Sequence, residues 1–172
     1  MPGPYELYLV RHGLAEERGE AWPDDAKRPL SESGTTRTRK AARGLARLEV
    51  TLDVILTSPL VRTRQTAEIL AAAFDDRPTI VAIESLAPGG SVTATLADLE
   101  KQSRRSRIAL VGHEPGIGEL AARLIGSEHP LEFKKAAVCR IDVNRLPPSE
   151  PGFLRWFVTA KMLRSLNKDI NR

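Results

Sequence analysis

Short apolar runs alternate along this chain with longer segments in which apolar residues recur at helical spacing. Six of these runs predict β-strands, because they are short, apolar and bounded by turn residues. They lie at residues 7–10, 52–57, 79–83, 108–111, 138–143 and 153–159. The first run ends in a cation, an imidazole and a glycine, so that residues suited to chemistry directly follow a predicted buried strand.

Four helices are predicted between the strands. The first begins at a serine cap, Ser31 or Ser33, and continues to about Leu48. Ser58 is a favoured N-cap and Pro59 fits the first turn of a helix, so a second helix is predicted from there to about residue 74. The last two are predicted over residues 92–102, after a Ser91 cap, and over residues 117–125.

Strands that alternate with helices predict an α/β fold. We expect a mostly parallel sheet, covered by helices on both faces in three layers, with right-handed crossovers. A length of 172 residues suits one compact domain, so we expect a single domain over residues 1–172 with its core at about 5–160. Residues 161–172 are interpreted as a terminal extension without an assigned role.

Three predicted strands end in residues that could bind an anion. The first leads into Arg11-His12-Gly13, the second into Ser58 and then Arg62, and a later strand into Gly112-His113. In parallel sheets, ligands bind outside the carboxyl ends of the strands, so we expect these residues in one crevice. Guanidinium groups offer planar, permanently charged donors, and helix starts present free N–H groups. The set therefore suits a compact dianion such as a phosphoryl group.

We expect this site to use neither a metal nor a cofactor. No cluster of carboxylates accompanies the arginines, which argues against Mg²⁺, and two histidines without a suitable third ligand argue against zinc. A glycine-rich phosphate loop with a terminal lysine is also missing, which argues against nucleotide hydrolysis of that kind. Phosphoryl transfer without a metal needs a nucleophile, and neutral His12 is the best candidate.

The overall charge and the remaining composition narrow the class of partner. A net charge of +4 permits an anionic partner, but the basic residues are scattered in clusters typical of solvated helix faces. Aromatic residues make up only 5%, too few for a platform that stacks single strands, so we expect no nucleic-acid partner. The single Cys139 is interpreted as a small core residue in a reducing cytosol. No stretch suits membrane insertion or export, so we expect a cytoplasmic protein without a membrane partner.

Three ordered motifs together resemble the histidine phosphatase superfamily, which has the phosphoglycerate mutase-like fold. They are Arg11-His12-Gly13, the segment 58–67 that begins Ser58-Pro59 and contains Arg62, and Gly112-His113. The short chain and the segments 28–34 and 86–90 further resemble the bacterial SixA-type phosphohistidine phosphatases. The resemblance covers roughly residues 5 to 160.

The resemblance implies a role for each of these residues. His12 would attack phosphorus in line and form a phosphohistidine that water then hydrolyses. Arg11, Arg62 and His113 would hold the phosphoryl oxygens and offset the developing charge. The substrate-binding residues would further include Arg28, Ser58 and Gly13.

One departure from the family pattern concerns the leaving group. Larger relatives carry a carboxylic acid in the loop after the third strand, where this chain has Pro88 and its neighbours, and the nearby Glu84 is out of register. Without that acid the enzyme would favour leaving groups that need little protonation, such as the imidazole of phosphohistidine. The short segment between residues 74 and 108 leaves no room for a large lid, which would suit a substrate on a protein surface.

The function predicted from the sequence is therefore a metal-independent phosphatase that acts on protein phosphohistidine through a phosphohistidine intermediate. One alternative is a small-molecule phosphomonoesterase or mutase. A second alternative, which the basic charge motivates, is a noncatalytic module that binds anions or nucleic acid.

Overall fold

A computed structural model describes residues 4–167 of the chain. Within this range a six-stranded sheet is flanked by five α-helices. The strands are β1 (Tyr5–Arg11), β2 (Val54–Thr57), β3 (Thr79–Ala82), β4 (Arg107–Gly112), β5 (Val138–Val143) and β6 (Phe153–Val158). The helices are α1 (Glu32–Ala46), α2 (Val61–Ala73), α3 (Val92–Glu100), α4 (Gly116–Ile125) and α5 (Ala160–Ser165).

The strand order β3-β2-β4-β1-β5-β6 brings the ends of three parallel strands together. Strands β3, β2, β4 and β1 run parallel to one another, whereas β5 pairs antiparallel with β1, and β6 pairs antiparallel with β5. Arg11 is paired with Gly112, and Thr57 with Val111, so β1, β2 and β4 all end at the same edge. This register explains how residues far apart in sequence reach one crevice.

Helices cover both faces of the sheet, which confirms the three predicted layers. Alternate residues of β1 point to opposite faces: Leu7 and Leu9 pack with residues of α3 and α4, and Tyr8 and Val10 pack with residues of α1, α2 and α5. Each face thus has its own buried apolar cluster. The mixed sheet, with two antiparallel strands at one edge, fits the predicted mostly parallel α/β fold.

Two of the three predicted serine caps are confirmed and one is wrong. Ser31 accepts a hydrogen bond from the amide of Gly34, and Ser91 accepts one from Ala94, as N-caps do. Helix α2, however, begins at Val61, after a bend at residues 59–60, and its N-cap position has no side-chain hydrogen bond. The Ser58 hydroxyl instead accepts from the amide of Leu60 and from the Thr63 hydroxyl, and it also lies 2.8 Å from His113 Nε2 at the crevice.

The segment interpreted as a terminal extension forms helix α5, which packs against α1. Gly44 of α1 lies so close to the backbone carbonyl of Leu163 that a Cβ atom there would overlap it. The Nη1 of Arg47 donates to Leu166 O at 2.6 Å, and Leu163 is almost fully buried. Residues 168–172 lie outside the described range. Among the residues described, no helix is long and apolar enough to cross a bilayer.

Candidate active site

The end of β1 fixes the orientation of the His12 ring. His12 is buried, and its Nδ1 lies 2.7 Å from Gly13 O. A carbonyl oxygen only accepts, so Nδ1 carries the proton and the lone pair is on Nε2. The amide of Gly13 donates to Thr66 Oγ1 at 3.1 Å, and a Cβ atom at Gly13 would overlap the Thr38 hydroxyl. Gly13 is therefore held close to two helices, and its carbonyl orients the imidazole.

The surroundings of His12 keep its imidazole neutral. Burial lowers the pKa of His12 to about 4, and the positive charges of Arg62 and Arg11 add to the decrease, although the bond to Gly13 opposes it. A neutral imidazole with a free Nε2 lone pair is the form that acts as a nucleophile near pH 7.

His113, at the end of β4, lies beside His12. The two ring centroids are 5.1 Å apart, and His113 Nε2 is 2.8 Å from Ser58 Oγ. Burial, followed by the proximity of His12, lowers the pKa of His113 to about 3. When the Ser58 hydroxyl donates to Nε2, the neutral ring carries its proton on Nδ1. That Nδ1 is buried and has no hydrogen-bond partner among residues 4–167, so it can donate to an anion.

Arg11 and Arg62 bring two guanidinium groups to the same edge of the sheet. Arg11 donates from Nη1 to Phe133 O at 2.8 Å. Arg62 is almost fully buried and donates from Nη1 to the backbone oxygen of Asp25 and from Nη2 to its carboxylate, at 2.9 and 3.0 Å. The Nε atoms of both arginines are buried without a partner in the described part of the chain. Both therefore retain donors for an anion.

The five residues expected to contact a phosphoryl group line one open pocket of about 480 Å³. They are Arg11, His12, Arg28, Arg62 and His113. Gly13 and Ser58 lie behind this lining, where they contact His12 and His113. The structure thus brings all seven predicted residues together, with Gly13 and Ser58 acting on the two histidines.

The charged pocket residues that were not predicted from the sequence include Arg18, Asp25, Glu114 and Lys135. Ala136 adopts a left-handed conformation with φ of 58°, and its amide donates to the carbonyl oxygens of Arg11 and His12, which places Lys135 at the pocket. Burial, and then the charge of Arg11, lowers the pKa of Lys135. One signal for Lys135 was available in the sequence, since this residue directly precedes β5. Strand β5 pairs antiparallel with β1, so it starts at the edge of the sheet where β1 ends.

No metal centre is formed by the described residues, since nowhere in residues 4–167 do three or more His, Cys, Asp or Glu side chains cluster so as to hold an ion. The donors at the pocket are instead mostly guanidinium and imidazole groups, together with one ammonium group. These groups fit an anion rather than a cation.

Comparison with known proteins identifies the family. The sequence profile of the histidine phosphatase superfamily (branch 1) matches residues 7–87, which include the end of β1 and the start of α2. An uncharacterized protein of Picosynechococcus sp. is 44% identical over 138 residues, covering 77% of this chain and 82% of that protein. The chain belongs to the histidine phosphatase superfamily. Membership supports phosphatase activity on a phosphorylated substrate.

Within the histidine phosphatases, this chain is similar to SixA proteins. Phosphohistidine phosphatase SixA of Escherichia coli K12 is 26% identical over 153 residues, covering 88% of this chain and 91% of SixA. A structure of the protein histidine phosphatase SixA with tungstate matches with a TM-score of 0.82 at 25% identity, over 92% of this chain and 99% of that one. A phosphoglycerate mutase from Bacillus anthracis matches in fold alone, with a TM-score of 0.73 at 14% identity, over 95% of this chain and 97% of that one.

The loop after β3 brings no carboxylic acid to the pocket. Pro88 lines the pocket, whereas Glu84 is exposed and lies outside the lining. A different carboxyl group, that of Glu114, is at the edge of the pocket, where burial raises its pKa. Its Oε1 accepts a hydrogen bond from the amide of Gly118 at 2.9 Å. Glu114 was not singled out from the sequence, although it directly follows His113.

Proposed function

We propose that this histidine phosphatase hydrolyses protein phosphohistidine, without a metal, through a phosphoryl intermediate on Nε2 of His12. The observation that carries the proposal is the bond from His12 Nδ1 to Gly13 O, which leaves Nε2 as the nucleophilic atom. This neutral imidazole lies in a pocket that four guanidinium groups line, those of Arg11, Arg18, Arg28 and Arg62. Nucleophile and oxyanion donors are thus positioned in advance.

The reaction has two displacement steps. In the first, the Nε2 lone pair of His12 attacks phosphorus in line, the bond from phosphorus to the substrate nitrogen breaks, and the imidazole of the substrate leaves. In the second, the oxygen of water attacks phosphorus, the bond from phosphorus to Nε2 breaks with its electron pair returning to Nε2, and phosphate leaves with both protons of the water. Arg11, Arg62 and the Nδ1–H of His113 hold the equatorial oxygens in both steps.

Two features favour phosphohistidine as the substrate: its leaving group needs no acid, and the pocket is open. A phosphorylated imidazole that is protonated on its other nitrogen leaves as a neutral molecule, so it needs no acid from the enzyme. The loop after β3 supplies none, because Pro88 occupies the pocket wall and Glu84 is exposed. The connection from β3 to α3, residues 83–91, is short, which leaves room for a macromolecular substrate. The similarity to SixA proteins supports the same choice.

The test compares two substrates with one enzyme. A protein phosphorylated on histidine should be hydrolysed with a kcat/KM at least about 100-fold higher than that for a sugar phosphate. Faster turnover of the sugar phosphate would overturn the substrate class. Turnover of neither substrate, together with binding of inorganic phosphate, would instead indicate a noncatalytic anion-binding module.

A second candidate, a small-molecule phosphomonoesterase, is favoured by Glu114. An ester releases an alkoxide that needs a proton, and a carboxyl group with a raised pKa at the pocket edge could supply it. Glu114→Gln should then lower turnover of an ester about 100-fold. If phosphohistidine is the substrate, the same variant should leave its hydrolysis within about threefold of wild type.

A further inference from the structure

The carboxylate of Asp25 bridges two of the arginines that line the pocket, and the Nε of a third, the exposed Arg18, lies 3.8 Å from its Oδ1. Its Oδ1 accepts from Arg28 Nε at 2.9 Å, and its Oδ2 accepts from Arg62 Nη2 at 3.0 Å. Its backbone oxygen accepts a third bond, from Arg62 Nη1. Asp25 belongs to the short 3₁₀ turn Asp25–Lys27, in the loop between β1 and α1. One residue thus holds both guanidinium groups through both of its carboxylate oxygens.

These two guanidinium groups need a counter-charge. Their side chains are only 9% and 3% exposed, for Arg28 and Arg62 respectively, whereas that of Asp25 is 47% exposed. A buried cation is costly unless an anion is paired with it, and Asp25 supplies that anion from the solvent side. Burial would raise the pKa of Asp25, but the hydrogen bond from Arg28 and the charges of both arginines hold it below its usual value. The carboxylate is therefore charged at neutral pH.

We propose that Asp25 is a positioning residue that acts as the resident counter-ion of the phosphate pocket and limits how tightly the pocket holds phosphate. A phosphoryl dianion bound by Arg62 and Arg28 would share these cations with the carboxylate and be repelled by it. Asp25 thus orients the two guanidinium groups and, at the same time, lowers the affinity of the pocket for phosphate. Weak retention suits an enzyme that must release inorganic phosphate after each turnover, and to this extent the inference rests on the proposed function.

The experiment measures binding of inorganic phosphate by calorimetry, at pH 7.5 and fixed ionic strength, without turnover. Asp25→Asn keeps the shape and a hydrogen-bond acceptor but removes the charge, so phosphate should bind about tenfold more tightly than to wild type. Asp24→Asn is the matched control, since its carboxylate is next in sequence, contacts Ala26 and Lys27, and does not touch the arginines. It should change the affinity by less than about twofold.

The outcomes separate this role from a purely structural one. If Asp25 only supported the loop, Asp25→Asn would bind phosphate equally or more weakly, and that result would overturn the proposal while the proposed function stands. If Asp25→Asn does not fold, Asp25→Ser replaces it in the experiment. This variant also removes the charge, so it should also bind phosphate more tightly than wild type. If the wild-type protein binds no phosphate, that result would overturn both the counter-ion role of Asp25 and the proposal that the pocket is a phosphatase site.

Discussion

Arginine and carboxylate side chains meet at both ends of strand β1, but the two ends use their hydrogen-bond donors differently. At the amino end, Asp142 accepts from the Nε atoms of Arg140 and Arg155, at 2.8 Å each, and Arg140 Nη2 forms an ion pair with Glu6 Oε1 at 3.2 Å. These four residues, which we name the basal network, join β1, β5 and β6. The two arginines and the two carboxylates of the basal network neutralise one another. The network therefore stabilises the sheet, and none of its buried donors lacks a hydrogen-bond partner among the residues that the structure describes.

At the carboxyl end of β1, the cations exceed the carboxylates that pair with them. Arg28 and Arg62 share the carboxylate of Asp25, and Arg11 bonds only a backbone carbonyl. Within residues 4–167, the buried side-chain nitrogen and oxygen atoms without a partner are Arg11 Nε, Arg62 Nε and His113 Nδ1, and all belong to this end. Buried polar groups are normally paired, so unpaired donors gathered in one place indicate where an external anion binds. The difference separates ion pairs that support the fold from those that serve the reaction.

Among the substitutions that compare the two ends of β1, Arg62→Lys should have the largest effect. Arg62→Lys keeps the charge but loses the planar fork that serves Asp25 and the anion together, so kcat/KM should fall about 100-fold. Arg64→Lys is the matched control, because Arg64 is on the same helix and exposed, and its kcat/KM should change less than about twofold. Equal effects of the two substitutions would show that the buried guanidinium has no special role.

The second-largest difference between the two ends of β1 should appear in the dependence of protein stability on pH. The pKa of His12 is about 4 in the folded protein and 6.5 in the unfolded chain, so between these values the unfolded chain binds more protons. The free energy of unfolding should therefore fall as the pH is lowered from 7.5 to 5, with about 2 kcal/mol of the decrease due to His12. His12→Asn should lose that much less in a denaturant titration. Identical slopes in both proteins would contradict a neutral buried imidazole.

The basal network should contribute little to this slope. Burial would raise the pKa of Asp142, but the hydrogen bonds from Arg140 and Arg155 outweigh it, so the carboxylate stays ionised throughout the same pH interval.

The smallest effect should follow from breaking the basal network. Asp142→Asn removes the charge shared by two partly exposed arginines, so the free energy of unfolding should fall by about 1 kcal/mol, while kcat/KM stays within about twofold of wild type. Chemical denaturation and a kinetic assay on the same preparation check both statements. A large loss of activity with unchanged stability would remove the distinction between the two ends.

Local sequence patterns were sufficient for the strands and for most helix boundaries. The short apolar run of β1 and the serine caps at Ser31 and Ser91 depend on neighbouring residues, so they can be recognised without knowledge of the fold. Ser58 has the same local signature as a cap, but its hydroxyl contacts His113, 55 positions later in the chain. The local pattern therefore predicted a cap where the tertiary contact prevailed.

The site was predictable to the extent that its residues directly follow strands. His12 and His113 do so, and the parallel order of the strands brings them together. Asp25 lies in a loop with no periodic pattern, and its partner Arg62 is 37 residues away, so its role emerges only when the loop is folded against α2. Lys135 depends similarly on the turn at Ala136. Charges on loops are positioned by contacts that a single sequence does not display.

The central claim is that Nε2 of His12 carries the phosphoryl group during turnover. The most direct measurement is to quench the reaction at alkaline pH, where phosphohistidine survives, and to locate the phosphoryl group by peptide mass spectrometry and NMR. We predict phosphorylation of His12 on Nε2, its loss in His12→Ala together with at least about 1000-fold of activity, and its retention in His129→Ala, since His129 is exposed in a loop. A phosphoryl group on another residue, or full turnover by His12→Ala, would contradict the account.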